Sequence, residues 1–199
     1  MIKVVDNIKY YNNRSTDPFI VACMDNKSAK NADIKSSIDG IPVIGIDDNA
    51  FKDCIYLKSI KIPETITRIG AYAFKNCKSL KKINIPKAVR IISNQAFAYC
   101  TSLKKIIIPN NVDEICSYTF YKCRKLKSVK ISTNIICISA YSFFGCKSLR
   151  KINIPNDIMY IEKYAFGECK KLRKINIPDK LHDIDKSVFF DCKSLKLNY

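Results

Sequence analysis

The 199-residue chain contains no tryptophan and a single histidine, His182. Because histidine is the side chain best suited to proton transfer near neutral pH, its scarcity leaves little material for acid–base catalysis, and we expect no enzymatic activity and no small-molecule substrate. Five glycines and seven prolines exclude collagen-like and low-complexity chains. No apolar run approaches the length of about 18 residues that a membrane span requires.

Acidic residues are also scarce. The chain has 18 aspartates and glutamates against 35 lysines and arginines, which gives a formal net charge of +17. Such a charge favours acidic partners. Heavy use of lysine, isoleucine and asparagine is what AT-rich coding produces, so the lysine content alone does not identify a partner.

The first residues also lack a secretory signal, because an acid stands at Asp6 and no long apolar run follows Met1. This absence predicts a cytoplasmic location. Exposure at the cell surface by an unconventional route is the alternative.

A strict internal repeat organises most of the chain. Proline, cysteine, phenylalanine and leucine each recur every 23 residues, with Ser132 replacing one proline. The cysteine positions are Cys54, Cys77, Cys100, Cys123, Cys146, Cys169 and Cys192. No insertion breaks this phase, which identifies a repeat protein.

One unit predicts the local structure of all the others. The segment 80–85 alternates apolar and polar residues, with Ile83 and Ile85 on one side, which predicts a half-buried strand that Pro86 ends. A second extended piece is expected around Ile66 and Ile69. The spacing of Phe74 and Cys77 favours a tight helical or 3₁₀ turn. A single unit cannot bury its own apolar side, so stacking into a solenoid with a parallel sheet is expected.

The repeat resembles a known family. Its L-x-x-I-x-I strand has the spacing of leucine-rich repeats, and the longer run from Ala73 to Pro86, A-F-x-x-C-x-x-L-x-x-I-x-I-P, resembles the BspA-like (Treponema-type) leucine-rich repeat family over about residues 41–197. The resemblance implies non-enzymatic protein–protein interaction. It also implies adhesion to host or matrix proteins, as in surface-exposed members.

The two ends of the chain fall outside the regular pattern. Residues 1–40 do not follow the period and contain strand-like pieces at 2–5, 8–11 and 19–23, which predict a β-rich N-terminal cap on a solenoid spanning 41–199. No cap follows the last unit. Its open parallel edge predicts end-to-end self-association.

The ten cysteines allow three interpretations. Structural zinc is disfavoured because no C-x₂₋₄-C pair occurs, the nearest two being Cys116 and Cys123. The Cα distance between neighbouring units permits a disulfide. However, the cysteine side chains point in parallel, and seven repeated cysteines cannot all form pairs. Small buried thiols that fill a tight turn are the favoured interpretation. A Cys–His nucleophile using His182 has no supporting motif, and no phosphate-binding loop or cofactor motif is present.

The outward positions of the predicted strands are basic. The segments that run from each repeated cysteine through the strand contain no aspartate or glutamate. We predict a partner-binding basic stripe on a concave strand face, formed by Lys58, Lys81, Lys82, Lys104, Lys105, Lys127, Lys130, Arg150, Lys151, Arg173 and Lys174. Asn84, Asn153 and Asn176 are expected to contribute polar contacts on the same face.

Three interpretations of the stripe remain open. It is a solvated face whose lysine stems cover the strands, a site for an acidic protein, or a site for a polyanion such as nucleic acid, a heparin-like glycan or an acidic membrane surface. Single-strand recognition usually uses exposed aromatic rings, and the stripe has only Tyr56 and Tyr199 at its ends. A protein partner is therefore the favoured interpretation.

Overall fold

The computed structural model describes residues 1–12, 18–181 and 184–196. No helix in these ranges is long and apolar enough to cross a membrane. The elements are β1 Ile2–Val5, β2 Ile8–Tyr11, β3 Phe19–Met24, β4 Asn31–Asp33, β5 Ser37–Ile38, β6 Ile41–Ile46, β7 Ser59–Lys61, β8 Arg68–Ile69, β9 Ile91–Ile92, β10 Lys105–Ile107, β11 Glu114–Ile115, β12 Ser128–Lys130, β13 Cys137–Ile138, β14 Lys151–Ile152, β15 Tyr160–Ile161, β16 Lys174–Ile175 and a 3₁₀ helix, Lys186–Phe189.

The repeats form a stacked solenoid, which confirms the predicted fold class. We number coils 1 to 7 by their repeated cysteines, from Cys54 to Cys192. Each coil has three sides. The front sheet contains β4, β7, β10, β12, β14 and β16, the back sheet contains β6, β8, β9, β11, β13 and β15, and the turn side runs from each back strand to the cysteine.

Where strands of adjacent coils pair, they run in parallel and in register, and on the front side they form three separate pairs, β4–β7, β10–β12 and β14–β16. In the front sheet Lys105 lies opposite Ser128, and Ile106 opposite Val129. The back sheet holds the longer hydrogen-bonded run, β6-β8-β9-β11, which β3 extends into the cap. The second extended piece predicted around Ile69 therefore belongs to the back sheet, whose strands pair more continuously than those of the front sheet.

The strand predicted at 80–85 is only partly correct. Ile83 and Ile85 are buried while Lys82 and Asn84 are exposed, so the alternation holds. No strand is formed there, because ladder bonding also needs aligned amide and carbonyl groups. Among the described residues, the front-sheet bond to this segment runs from the Lys104 amide to the Lys81 carbonyl, 3.2 Å away.

The turn side combines two kinds of backbone hydrogen bond. Within a coil, the Cys77 amide donates to the Phe74 carbonyl three residues earlier, as in a 3₁₀ turn. Between coils, the Phe74 amide donates to the Ala96 carbonyl at 2.7 Å. Only coil 7 extends the turn into a 3₁₀ helix among the described residues, where Asp185 caps Ser187.

A phenylalanine spine fills the core. The rings at the repeated position stack from Phe51 through Phe166 to Phe189, with centroids 5.1 to 6.0 Å apart and planes within 13° of parallel. Those from Phe51 to Phe166 are fully buried. Leucine and isoleucine from the front and back sheets surround the spine and close the core.

The N-terminal segment contains the three predicted strands. β1, β2 and β3 are antiparallel neighbours, and β3 then runs parallel to β6. β4 continues the front sheet by pairing with β7, so that Asp33 lies opposite Lys61. The regular front ladder thus begins before residue 41, and the boundary between cap and solenoid at residue 40 stays a prediction.

Candidate functional site

The predicted basic stripe lies on the outer surface of the front sheet. All eleven of its side chains are exposed. Backbone bonds hold successive members in register, since the Lys127 amide donates to the Lys104 carbonyl at 2.8 Å and the Arg173 amide to the Arg150 carbonyl at 2.9 Å. Lys151 and Lys174 face one another directly across paired strands.

No ion pair neutralises the charges of this stripe in the part of the chain that the structure describes. None of the eleven side chains forms an ion pair with any residue in the described ranges. Acids elsewhere do find partners, such as Asp113 with Arg90 at 3.4 Å near the back sheet and Asp157 with Lys180 at 3.1 Å. Two cations 5 Å apart repel by about 0.8 kcal/mol in water, so the stripe carries unrelieved repulsion.

The stripe extends one coil further than the sequence predicted. The Lys58 amide donates to the Lys30 carbonyl at 2.7 Å, which places Lys30 at the same position one coil earlier. Its step is 28 residues and not 23, so the period missed it. The signal was the spacing of Ala29, Ala32 and Ile34, which matches that of the later leucine and isoleucines.

The acidic residue that follows ends the basic surface. Asp33 lies opposite Lys61 and forms an ion pair with it at 3.4 Å.

The three predicted asparagines differ in their contacts. Asn84, Asn153 and Asn176 are all exposed on the front sheet. Asn176 uses both amide atoms on the previous coil, since its Nδ2 donates to the Ile154 carbonyl and its Oδ1 accepts from the Ile154 amide, each at 2.8 Å. That side chain joins two coils, which reduces its availability to a partner. Asn84 and Asn153 form no such bond.

Two shallow grooves follow the ends of the front strands. One, of about 360 Å³, includes Asn84, Ile107 and Lys130, and the other, of about 320 Å³, includes Lys130 and Asn153. Lys130 therefore separates two neighbouring recesses. A partner side chain that enters either recess meets a cation and an amide, and in the first recess it also meets the Glu64 carboxylate.

Six of the seven repeated cysteines are buried free thiols, in agreement with the favoured interpretation, and Cys192 in the last coil is partly buried. Each from Cys77 to Cys192 donates through Sγ to the carbonyl of a phenylalanine in the previous coil, at 3.0 to 3.3 Å. Burial raises the pKa of Cys54 to about 11 and that of Cys123 to about 12, which keeps these thiols protonated and unreactive. No cluster that could hold a metal ion exists within the described ranges.

The remaining catalytic hypothesis and the C-terminal edge fall outside what the structure describes. His182, the proposed partner of a cysteine nucleophile, lies outside the described residues, as do residues 197–199 at the predicted open edge.

Comparisons with known proteins agree with this geometry. The model of the BspA type leucine rich repeat region matches residues 22–135 and 113–198, in six copies. A crystal structure of a T. pallidum leucine-rich repeat protein is similar over 98% of this chain and 91% of that one, with 25% identity and a TM-score of 0.87. A Bacteroides ovatus leucine-rich repeat protein shares 27% identity over 90% of this chain, with a TM-score of 0.66, and this chain spans 54% of its length. No curated protein matches the chain. Since the family model covers most of the residues and the solenoid reproduces its repeat, the chain belongs to the BspA-type leucine-rich repeat family.

Proposed function

We propose that this solenoid is a non-enzymatic protein-interaction module whose front sheet binds an acidic protein surface. The observation that supports this most directly is the stripe of eleven exposed cations without an ionic partner among the described residues. Carboxylates placed along the stripe would relieve its internal repulsion, which favours association beyond the new contacts themselves. The rigid backbone keeps the cations in fixed order without further loss of backbone entropy on binding.

The front sheet suits a protein better than a simple polyanion. Between the lysines it presents the exposed side chain of Ile107, the amides of Asn84 and Asn153, and the two grooves. Apolar and amide groups of this kind give a protein interface specificity that charge alone does not supply. Adhesion to a host or matrix protein would use the same surface.

Polyanion binding is the competing function, and salt dependence separates the two. A polyanion held by many lysines loses affinity steeply as salt rises, whereas an interface with apolar and amide contacts loses less. The first test is affinity capture with the purified chain at about 0.15 and 0.5 M salt. A discrete acidic protein retained at the higher salt supports the proposal, and nucleic acid or glycan that is released there supports the alternative.

A charge-reversal variant ties the captured protein to the front sheet. Lys81→Glu, Lys104→Glu, Lys127→Glu and Arg150→Glu together should abolish capture while thermal unfolding stays cooperative. The matched control reverses four exposed lysines away from this sheet, Lys27→Glu, Lys163→Glu, Lys180→Glu and Lys186→Glu, and so has the same net charge. Equal capture by the two variants would reject the front sheet as the binding surface.

A further inference from the structure

The turn side carries a second array of side chains that the front sheet does not include. Tyr118, Tyr141 and Tyr164 form one column of stacked rings, with centroids 4.7 and 5.0 Å apart. Tyr121 and Phe144 form a second column beside it, stacked at 5.5 Å. The two columns meet at tilted angles, 59° between Tyr118 and Tyr121 and 52° between Tyr141 and Phe144.

The fold does not require tyrosine at these positions. Tyr118, Tyr141 and Tyr164 have backbone φ angles of 57° to 60°, in the left-handed region that disfavours bulky side chains. Asn49 and Gln95 occupy the equivalent positions in coils 1 and 3 with the same backbone. The free energy gained from ring stacking is similar in size to the cost of the left-handed backbone conformation. Stability alone therefore does not account for the column, and strained residues of this kind are enriched at binding sites.

The chemistry exposed on this side is specific. Because the rings stack on one another, the column offers its edges and hydroxyls but not free ring faces, which disfavours stacking of nucleic-acid bases. The hydroxyls of Tyr118, Tyr141 and Tyr164 have no hydrogen-bond partner among the described residues. Each is free to donate to a carbonyl oxygen of a ligand.

Backbone pairing with a ligand is excluded on the same side. The amides of Tyr118, Phe120 and Lys122 all donate to carbonyls of coil 5, and those of Phe143 and Gly145 to carbonyls of coil 6. These five amides are therefore unavailable to an added β-strand. The side chains of the columns are the groups that remain for recognition of a ligand.

The charge around the columns selects for an acidic flank. In coils 2 to 5 the turn-side segments 70–78, 93–101, 116–124 and 139–147 contain no aspartate or glutamate. At the other end of the column, acids appear in coil 6, where Glu168 pairs with Lys147 at 3.8 Å. Lys75 and Lys122 approach the Tyr99 ring from the two sides, with Nζ 6.0 and 5.9 Å from its centroid. This places two cations at the N-terminal end of the aromatic columns.

We propose that the tyrosine column is a docking site for a proline-rich segment in the polyproline II conformation with acidic residues at one end. Such a segment rises about 3.1 Å per residue with three residues per turn, so its equivalent side chains lie about 9.3 Å apart. Two coil steps of the column, 4.7 and 5.0 Å, nearly match that period. The segment leaves its carbonyls unpaired and loses little entropy on binding, and aromatic surfaces recognise it elsewhere.

Peptide titration tests the site independently of the function proposed for the front sheet. The probe is a proline-rich peptide of about 12 residues with two glutamates at one end, longer than one polyproline II turn. The expected result is saturable binding that falls at least about tenfold in the triple variant Tyr118→Asn, Tyr141→Asn, Tyr164→Asn, roughly 1.4 kcal/mol. Tyr56→Asn with Tyr160→Asn, two exposed tyrosines on other sides, is the control and should bind normally. The front-sheet reversal variant should also bind the peptide.

Several results would overturn the proposal. One is the absence of peptide binding at about 1 mM, a concentration typical of the weakest specific contacts. Another is equal binding of the peptide by the triple variant and the control. The third is binding of phosphatidylserine vesicles or single-stranded DNA, in place of the peptide, that depends on the column. If the triple variant does not fold, Tyr141→Phe carries the test, because it removes one hydroxyl and keeps the ring. That variant should weaken peptide binding and leave thermal unfolding unchanged.

Discussion

The Cys100 thiol donates a hydrogen bond to the carbonyl oxygen of Phe74, 3.2 Å away in the previous coil. Both side chains are fully buried. The same bond recurs from coil to coil, so the cysteine ladder joins each turn to the phenylalanine spine. Neutral thiols are essential to this arrangement, because a buried thiolate would have neither solvent nor a cation to stabilise it.

The thiols make stability depend on pH in the alkaline range. Burial raises the pKa of Cys123 from 9.0 to about 12. Above pH 9 the unfolded chain therefore loses this proton while the folded chain keeps it, and the free energy of unfolding falls by up to about 1.4 kcal/mol per pH unit for each such thiol. Urea unfolding of the wild type and of Cys123→Ala between about pH 7 and 11 measures the effect. The variant should show the shallower decline, and parallel profiles would contradict this account of the thiol.

Substitution of a phenylalanine in the middle of the spine should lower the free energy of unfolding more than substitution at its end. Phe97 is fully buried between Phe74 and Phe120, whereas Phe189 stacks on Phe166 alone among the described residues and is only partly buried. Phe97→Ala is expected to lower the free energy of unfolding by about 3–5 kcal/mol, with Phe189→Ala losing clearly less. Denaturant unfolding compares the two. An equal loss at both positions would mean that the coils do not contribute as a stack.

Substitution of the two exposed asparagines Asn176 and Asn153 should affect the stability of the chain to different extents. Asn176 bonds to both backbone groups of Ile154, and Asn153 has no equivalent bond. We expect Asn176→Ala to destabilise the chain by about 1–2 kcal/mol and Asn153→Ala to be close to neutral. Thermal unfolding of both variants checks the difference. Similar melting temperatures would remove the proposed role of Asn176 in joining coils 5 and 6.

Replacing a column tyrosine should change stability little. In Tyr141→Asn the loss of stacking on Tyr118 and Tyr164, worth about 0.5–1.5 kcal/mol per ring pair, is offset by relief of a left-handed backbone strain of about 1–2 kcal/mol. With two ring pairs lost and one strained backbone relieved, the net change in the free energy of unfolding is expected to lie between a gain of about 1 kcal/mol and a loss of about 2 kcal/mol. A loss of several kcal/mol would show that the column is needed for folding and would remove the argument that it is retained for binding.

The repeat made most of the fold predictable. Leu80, Ile83 and Ile85 recur in phase with Phe74 and Cys77, so one unit determined the burial pattern of all the others. Hydrogen bonding was less predictable, because it depends on the alignment of adjacent coils as well as on alternation. For that reason the sequence did not reveal the loss of the coil 2 strand or the greater continuity of the back sheet.

The sequence likewise predicted some features of the candidate surfaces and missed others. The exposed position of the basic stripe followed from its alternation with buried residues. Lys30 was missed because its step to Lys58 is 28 residues and not 23, and the bonds of Asn176 depend on its distance from the neighbouring backbone. Tyr118, Tyr141 and Tyr164 also recur every 23 residues, which places them above one another in a stack, but their ring distances and left-handed backbone angles came only from the structure.

Photo-crosslinking from paired positions tests the central claim, that the front sheet binds the partner, most directly. Ile107 on the front sheet and Ile91 on the back sheet are exposed isoleucines of similar accessibility, 48% and 43%. A photoreactive residue introduced at one or the other reports which surface contacts the captured protein. We expect a discrete crosslinked acidic protein from position 107 and none from position 91. Crosslinking from position 91 alone, or equally from both, would contradict it.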